Sequence, residues 1–295
     1  MSERVVVVNA GKMNYDHALD FSILSNDVQV YEDSTNAELI ERIQGARVVV
    51  TKELPVSADL LSQFPDTVEL IVEAGTGYNN IDLDAAKKKG ITVSNIPAYS
   101  TERVAHTVIM MILNFASTMQ QQIGMLAKGD RSNFTKYLQV SHTESEWQNI
   151  RCCWCWSHRN GSYQSSKSTW HEYLGSYTYT KADGDGIRYV SLDELLENSD
   201  YITLHCPLND QTKHLINKET IGKMKPNAVI VNTGRGPLIN EADLCKALAA
   251  KRIAGAGLDV QEVEPPVEDS PLYTLDNVII TPHMGWKGLK HVNAW

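Results

Sequence analysis

The chain reads as an α/β protein built on doubly wound parallel sheets, and three observations predict that class. Short β-branched apolar runs alternate with segments of helical period, which is the signature of crossover units building parallel sheets. The alternation fills the first hundred residues and resumes near residue 187. At 295 residues, with 42% hydrophobic and 21% charged side chains, the chain is long enough for about two domains with sizeable cores.

In the first hundred residues, strands are predicted at Val5–Val8, Val48–Thr51, Val68–Val72 and Ile91–Ser94. Between them, Asn36–Ile43 carries apolar residues at helical spacing, Ser57 is placed to cap a run ending near Phe64, and Asp82 opens a helix that stops at Gly90. A longer helix is predicted from Ser100. Its stripe of Val104, Val108, Met111, Ile112 and Phe115 faces a domain core or a partner subunit. After the interruption, a strand is expected at Ile187–Val190, and Ser191 with Glu194 forms a capping box ahead of the helix DELLEN. Strand Tyr201–His205, helix Lys218–Met224, strand Ala228–Asn232, a helix capped by Asn240, and strands Ile253–Leu258 and Val278–Thr281 follow. These make half of a doubly wound sheet. Its other half is due in the intervening stretch.

Composition excludes several classes. A formal charge of −9 argues against a general binder of nucleic acid, which presents a net basic surface. No segment approaches the roughly 20 apolar residues a bilayer requires, so no membrane partner is expected. The start, MSERVVVVNAGK, lacks a basic region followed by a long apolar segment, and a cytoplasmic protein is the default expectation. One stretch is anomalous: Trp147, Trp154, Trp156 and Trp170 cluster beside Cys152, Cys153 and Cys155. With His158 and His171 these offer donors that zinc favours. Adjacent cysteines diverge, however, and no second Cys-x-x-Cys pair follows, so no metal is expected.

Three polar residues each lie just beyond the carboxyl end of a predicted strand, where open α/β sheets bind ligands. Arg235, in VNTGRG, has a planar fork suited to a carboxylate, although alone it reads as a surface arginine in a turn. Glu264, in LDVQEVEPP, alone reads as a solvated loop charge, and His283, in TPHMGW, as a structural histidine. Together they are a guanidinium to hold a carboxylate, an imidazole to move a proton and a carboxylate to orient it, which is the set for redox chemistry on a 2-hydroxy acid.

These residues sit in segments that resemble the D-isomer-specific 2-hydroxyacid dehydrogenases, the group that includes phosphoglycerate, glycerate and D-lactate dehydrogenases. The segments are VEAGTGYNNIDLDAAKKKGITVSNIPAYSTERVAHTVIMMIL (Val72 to Leu113), HCPLNDQTKHLI, MKPNAVIVNTGRGPLIN, AGAGLDVQEVEPP and NVIITPHMGW, in the family's order. The resemblance implies two doubly wound domains, Rossmann- and flavodoxin-like, flanking a cleft: a substrate domain from 1–99 with 284–295, and a dinucleotide-binding domain from 100–283. It implies an oxidoreductase that interconverts 2-keto and D-2-hydroxy acids with NAD, or NADP, as a homodimer through the long helix. By the same resemblance Arg235 binds substrate carboxylate and carbonyl, Glu264 supports His283, and His283 gives the proton. Backbone amides around Ala74, Gly75 and Thr76 take further carboxylate contacts. Pro207, Thr212, Thr233, Gly234 and Asp259 line the cofactor, with Asp259 near the carboxamide.

The sequence departs from that pattern near residue 150, where a G-x-G-x-x-G turn should receive the cofactor pyrophosphate and the chain instead reads IRCCWCWSHRNG. Tryptophan has one codon and cysteine two, so a one-base shift forces Trp154–Cys155 to glycine, Cys155–Trp156 to valine or alanine, and Trp156–Ser157 to glycine. Permitted codons extend this to a strand, the fingerprint GAGHIG and a helix. A frameshifted segment over about 145–178, and a second that ends the chain early through Leu289–Trp295, are therefore inferred. The expectation that follows is a dehydrogenase by descent whose cofactor binding is weak or absent and whose activity is poor. A cofactor-sensing binding protein on the same fold, of corepressor type, and a nonfunctional product of a damaged gene are the rival readings.

Overall fold

Runs of valine and isoleucine, stiff at χ1 and suited to a pleated surface, form the strands of two parallel sheets. The computed structural model describes residues 3–137, 139, 140, 142, 150–153, 173–176 and 187–287, with 150–153, 173–176 and 187 described as backbone. The chain divides into two units, one running to Tyr99 and the other spanning Ser100–Lys287.

The first unit contains β1 (Val5–Val7), β2 (Val28–Val30), β3 (Val48–Thr51), β4 (Leu70–Glu73) and β5 (Thr92–Asn95), in the order β2-β1-β3-β4-β5 with every pairing parallel. Helices α1 (Asn36–Arg42), α2 (Ala58–Ser62) and α3 (Leu83–Lys88) make the crossovers. Both sheet faces are covered, as parallel sheets require. Val6, Val49 and Ile71 pack with Leu39, Ile43, Leu60 and Phe64 on one side, and Val5, Val7 and Val50 with Met13 and Ala74 on the other.

Ser57 and Asp82 cap α2 and α3 as the sequence suggested. Thr35 and Glu38 add a full capping box to α1. The strand β2 was not anticipated, because three half-exposed residues at a sheet edge carry no apolar run. The sequence also placed β4 and β5 one to two residues early. The Val68 N–H closes a turn onto Pro65 O (3.1 Å), and the Ile91 N–H closes the end of α3 onto Ala86 O (2.9 Å), so both ladders start later.

The second unit opens with α4 (Thr101–Ser117), α5 (Met119–Ala127) and α6 (Ser132–Thr135). There follow β6 (Ile150–Cys153), β7 (Tyr173–Ser176), β8 (Ile187–Tyr189), α7 (Leu192–Asn198), β9 (Tyr201–Leu204), α8 (Lys218–Lys223), β10 (Val229–Asn232), α9 (Glu241–Ala249), β11 (Gly255–Leu258) and β12 (Val278–Ile280). Their order is β12-β11-β10-β9-β6-β7-β8, parallel throughout. The chain therefore winds outward in both directions from the β6/β9 pair. That reversal is the switch point at which doubly wound sheets bind ligands, beyond the carboxyl ends of the strands.

The buried stripe of α4, Val108, Met111 and Ile112, packs with Val229, Val231 and Ile279 of the sheet, which resolves the two readings of that stripe in favour of the core. The predicted capping box at α7 is one-sided. Ser191 Oγ accepts the Glu194 N–H, but the Glu194 carboxylate turns to Arg188 Nη1 at 2.9 Å. A larger difference lies at β6 and β7. IRCC and YLGS, inside the segment inferred to be frameshifted, sit in register between β9 and β8. A ladder satisfies backbone N–H and C=O groups whatever the side chains, and the flanking strands supply those partners. The glycine fingerprint due after β6, the anomalous Trp154, Trp156, Trp170 and Cys155, and Leu289–Trp295 lie outside the described residues.

No helix among the described residues is long and apolar enough to cross a membrane. Met111 is fully buried between α4 and the sheet, so Met111→Ala is expected to cost about 2–5 kcal/mol through lost transfer energy and a cavity. The urea midpoint should fall with the m-value unchanged, and an unchanged midpoint would contradict this packing.

Candidate active site

The three expected site residues lie on successive loops of one sheet edge. Arg235 follows β10, Glu264 follows β11 and His283 follows β12, and these strands are neighbours. At the carboxyl ends the ladders stop, so side chains must satisfy the loop backbone. Asn232, fully buried at the end of β10, does this for the arginine loop: its Nδ2 donates to Arg235 O at 2.9 Å and its Oδ1 accepts the Gly234 N–H at 3.0 Å. Arg235 Nη1 donates to Gly234 O at 2.9 Å. Gly236 presses this loop onto the next one, since a Cβ there would run into the Gln261 carbonyl.

The His283 turn is held from beneath by Asp259, buried at the end of β11. Its Oδ1 accepts Thr281 Oγ1–H at 2.6 Å and the Met284 N–H at 2.9 Å, and its Oδ2 accepts the Gly285 N–H at 2.7 Å. The Asp259 carbonyl takes the His283 N–H at 2.8 Å. These contacts hold His283 at a φ of 49°, a left-handed conformation uncommon for residues other than glycine. Hydrogen bonds to a charged acceptor contribute about 1.5–3 kcal/mol each, enough to outweigh that strain.

The imidazole then meets its carboxylate, with His283 Nδ1 lying 2.7 Å from Glu264 Oε2. Glu264 Oε1 accepts the Gln261 N–H at 3.0 Å, so one carboxylate braces its own loop and orients the ring. The carboxylate accepts, so Nδ1 carries a proton and Nε2 is the ring atom left for proton exchange.

A second pair supports this loop. His214 Nε2 is 2.7 Å from Glu262 Oε1, and Glu262 Oε2 accepts the Glu241 N–H at the start of α9, where a carboxylate is favoured. Glu241 Oε2 accepts the Glu262 N–H in return at 3.1 Å. Sequence reasoning passed over Asn232, His214 and Glu262. The Asx position of Asn232 after a strand was a readable signal, whereas the pairing of His214 with a residue 48 positions away was not.

The residues expected to line a cofactor divide into two groups. Pro207 is exposed on the loop after β9, and Thr212 closes that loop by donating Oγ1–H to Pro207 O at 2.6 Å. Thr233 Oγ1, at the end of β10, is buried with no partner among the described residues. An orphan hydroxyl beside Gly234, on the same sheet edge as the switch point, fits a dinucleotide. Asp259 also works inside the protein: its oxygens accept three donors from the Thr281–Gly285 turn and so position His283.

In the first unit, the loop after β4 carries Ala74, Gly75 and Thr76. Ala74 cannot contribute its amide to a ligand, because its N–H extends the ladder to Thr51 O at 2.7 Å, which leaves the amides of Gly75 and Thr76 as the candidates in this loop. Asn95 Nδ2 donates to Thr76 O at 2.7 Å, and Gly75 O accepts the Ile96 N–H at 3.0 Å. Glu73, immediately before the loop, is 0% exposed, and burial pushes its carboxyl pKa up against the lowering effect of hydrogen bonds from Asn80 and Glu53 and the nearby Lys52 charge.

Known proteins share this architecture and sequence. Residues 170–285 match the family described as D-isomer specific 2-hydroxyacid dehydrogenase, NAD binding domain. A hydroxypyruvate reductase from Blautia hydrogenotrophica is 36% identical over 84% of this chain and 78% of its own length. A glycerate dehydrogenase from Methylorubrum extorquens is 35% identical over 88% of this chain and 83% of its own. The crystal structure of an NADPH-dependent glyoxylate/hydroxypyruvate reductase from Sinorhizobium meliloti, in complex with NADP and malonate, is 25% identical, covers 99% of this chain and 90% of its own, and superposes with a TM-score of 0.86. Sequence likeness of that extent, together with the His–Glu pair and the two parallel sheets, places this chain in the D-isomer-specific 2-hydroxyacid dehydrogenase family.

Proposed function

We propose that this protein interconverts 2-keto acids and D-2-hydroxy acids with NAD(H) or NADP(H), and that Arg235, Glu264 and His283 carry the chemistry. The observation that supports this reading best is the 2.7 Å pair of His283 and Glu264 on the sheet edge that also bears Arg235. The named relatives, a hydroxypyruvate reductase and a glycerate dehydrogenase, act on substrates of that class.

When bound, the reduced nicotinamide supplies a hydride to the keto carbon. His283 delivers the accompanying proton from Nε2 to the keto oxygen as negative charge develops there. Glu264 holds Nδ1–H throughout, so the ring neither turns nor changes tautomer, and it stabilises the imidazolium that precedes transfer. Arg235 pairs with the substrate carboxylate and polarises the carbonyl with its remaining N–H groups. Gly75 and Thr76 offer backbone N–H groups to a carboxylate. Pro207, Thr212, Thr233 and Gly234 line the cofactor.

At saturating cofactor, His283→Gln is expected to lower kcat for glyoxylate reduction by about 100-fold or more, because general acid catalysis is worth about that much. Arg235→Gln should chiefly raise KM. The two effects are read from NADH absorbance, and a His283→Gln enzyme of unchanged kcat would remove the proton-transfer role.

Cofactor affinity is expected to be weaker than in the named relatives. The sequence offers no glycine turn after β6 to give backbone N–H groups to the pyrophosphate, and each such bond to a charged group is worth about 1.5–3 kcal/mol. A fluorescence titration with NADH should therefore fail to saturate in the micromolar range, and micromolar saturation would overturn the expectation.

The reading includes a homodimer. On the second unit, Met110 and Leu113 of α4, Ile123 (59% exposed) and Leu126 of α5, and Phe134 (78% exposed) of α6 are large apolar side chains open to solvent. Apolar surface of this kind favours a self-complementary interface. Sedimentation should give a dimer that Ile123→Glu with Phe134→Glu converts to monomer. A monomeric parent protein would exclude this assembly.

A further inference from the structure

The first unit contains a lysine in an unusual place. Lys52, the residue after β3, is 3% exposed. Its backbone is gripped from both sides by the buried Asn9, whose Nδ2 donates to Lys52 O at 2.6 Å and whose Oδ1 accepts the Lys52 N–H at 2.9 Å. The next residue, Glu53, sits at a φ of 54°, and its N–H is held by the Glu73 carboxylate at 3.0 Å and 3.3 Å. A left-handed glutamate persists only where its surroundings enforce it, and residues held this way cluster at binding sites.

This turn delivers the lysine ammonium to the loop after β4. A Cβ on Gly75 would lie 2.6 Å from Lys52 Nζ and 3.1 Å from Glu73 Oε1, so the loop lacks a side chain at the position the ammonium occupies. Lys52 Nζ is also 3.1 Å from Glu53 Oε1, and the acidic groups around it are Glu53 and Glu73. Glu53 and Glu73 pair the buried ammonium, yet an apolar side chain would fill this space at lower cost, so retaining the charge points to a further use. A backbone loop of N–H donors gains most from a cation fixed behind it, because the donors set direction and the cation adds potential.

We propose that Lys52 is a substrate-positioning residue, its ammonium fixed against Gly75 so that the Gly75–Thr76 loop binds the carboxylate of a 2-keto acid. This rests on the assignment of that loop as a carboxylate site under the proposed function. Glu73 tunes the device, since its carboxylate offsets part of the charge that the lysine presents.

The test uses oxalate, a substrate-like dianion that cannot be reduced here, titrated calorimetrically into the whole protein. Lys52→Met with Glu73→Gln removes both buried charges together and should bind oxalate at least about tenfold more weakly. Glu73→Gln alone should bind it several-fold more tightly. A purely structural lysine predicts no such opposite shifts. Thermal unfolding identifies any variant that fails to fold, and the Glu73→Gln result decides the matter if the double variant does. Oxalate affinity within twofold of the parent in each folded variant would overturn the role of Lys52. Amide resonances separate the two levels of the argument. If oxalate moves neither the Gly75 nor the Thr76 signal, the loop is not the carboxylate site. If it moves them while the variants bind normally, only the lysine's role is lost.

Discussion

One buried carboxylate organises the reactive edge of the second unit. A parallel sheet ends abruptly at its carboxyl edge, and the loops beyond it have no ladder to satisfy their N–H groups. Asp259 accepts three donors from the segment Thr281–Gly285 and so converts an open loop into a turn with one conformation. His283 keeps its left-handed backbone only because that turn is closed around it. The position of the proposed proton donor thus depends on a residue at the end of the neighbouring strand.

The same economy recurs along the edge. Asn232 shapes the arginine loop, Asp259 the histidine turn, and the Glu262–Glu241 exchange the loop between them, with His214 as an outer brace. Asn232, Asp259, Glu262 and Glu241 each bond main chain through the side chain, and His214 bonds the Glu262 carboxylate behind them. Such groups fix the backbone of the loops that carry Arg235, Glu264 and His283. Gly236 completes the arrangement by allowing two of these loops to touch.

Much of this was legible in the sequence because it follows from local chemistry. Valine runs announce β1 and β3, Ser57 and Asp82 announce their helices, and Arg235, Glu264 and His283 stand out as polar residues beyond apolar strands. What was not legible depends on contacts between distant residues. The capacity of Asp259 for three internal donors, the loss of the Ala74 amide to Thr51, and the lysine standing where Gly75 has no side chain all join separate strands. Periodicity carries no record of them. Nor does it register β2, whose three residues are held by the edge of β1 rather than by an apolar pattern of their own.

The segment near residue 150 separates what a fold needs from what a reaction needs. Strand β6 requires only that its N–H and C=O groups meet those of β9 and β7, and IRCC meets that condition in register. A pyrophosphate asks more of the next residues. It needs several N–H groups converging on one point with no Cβ in the way, a demand on side-chain size that glycine meets and tryptophan does not. IRCC meets the first condition, whereas the sequence that follows it, WCWSHRNG, lacks the spaced glycines of the second. Parallel architecture, the His283–Glu264 pair and family membership are therefore compatible with the weaker hold on cofactor that we propose.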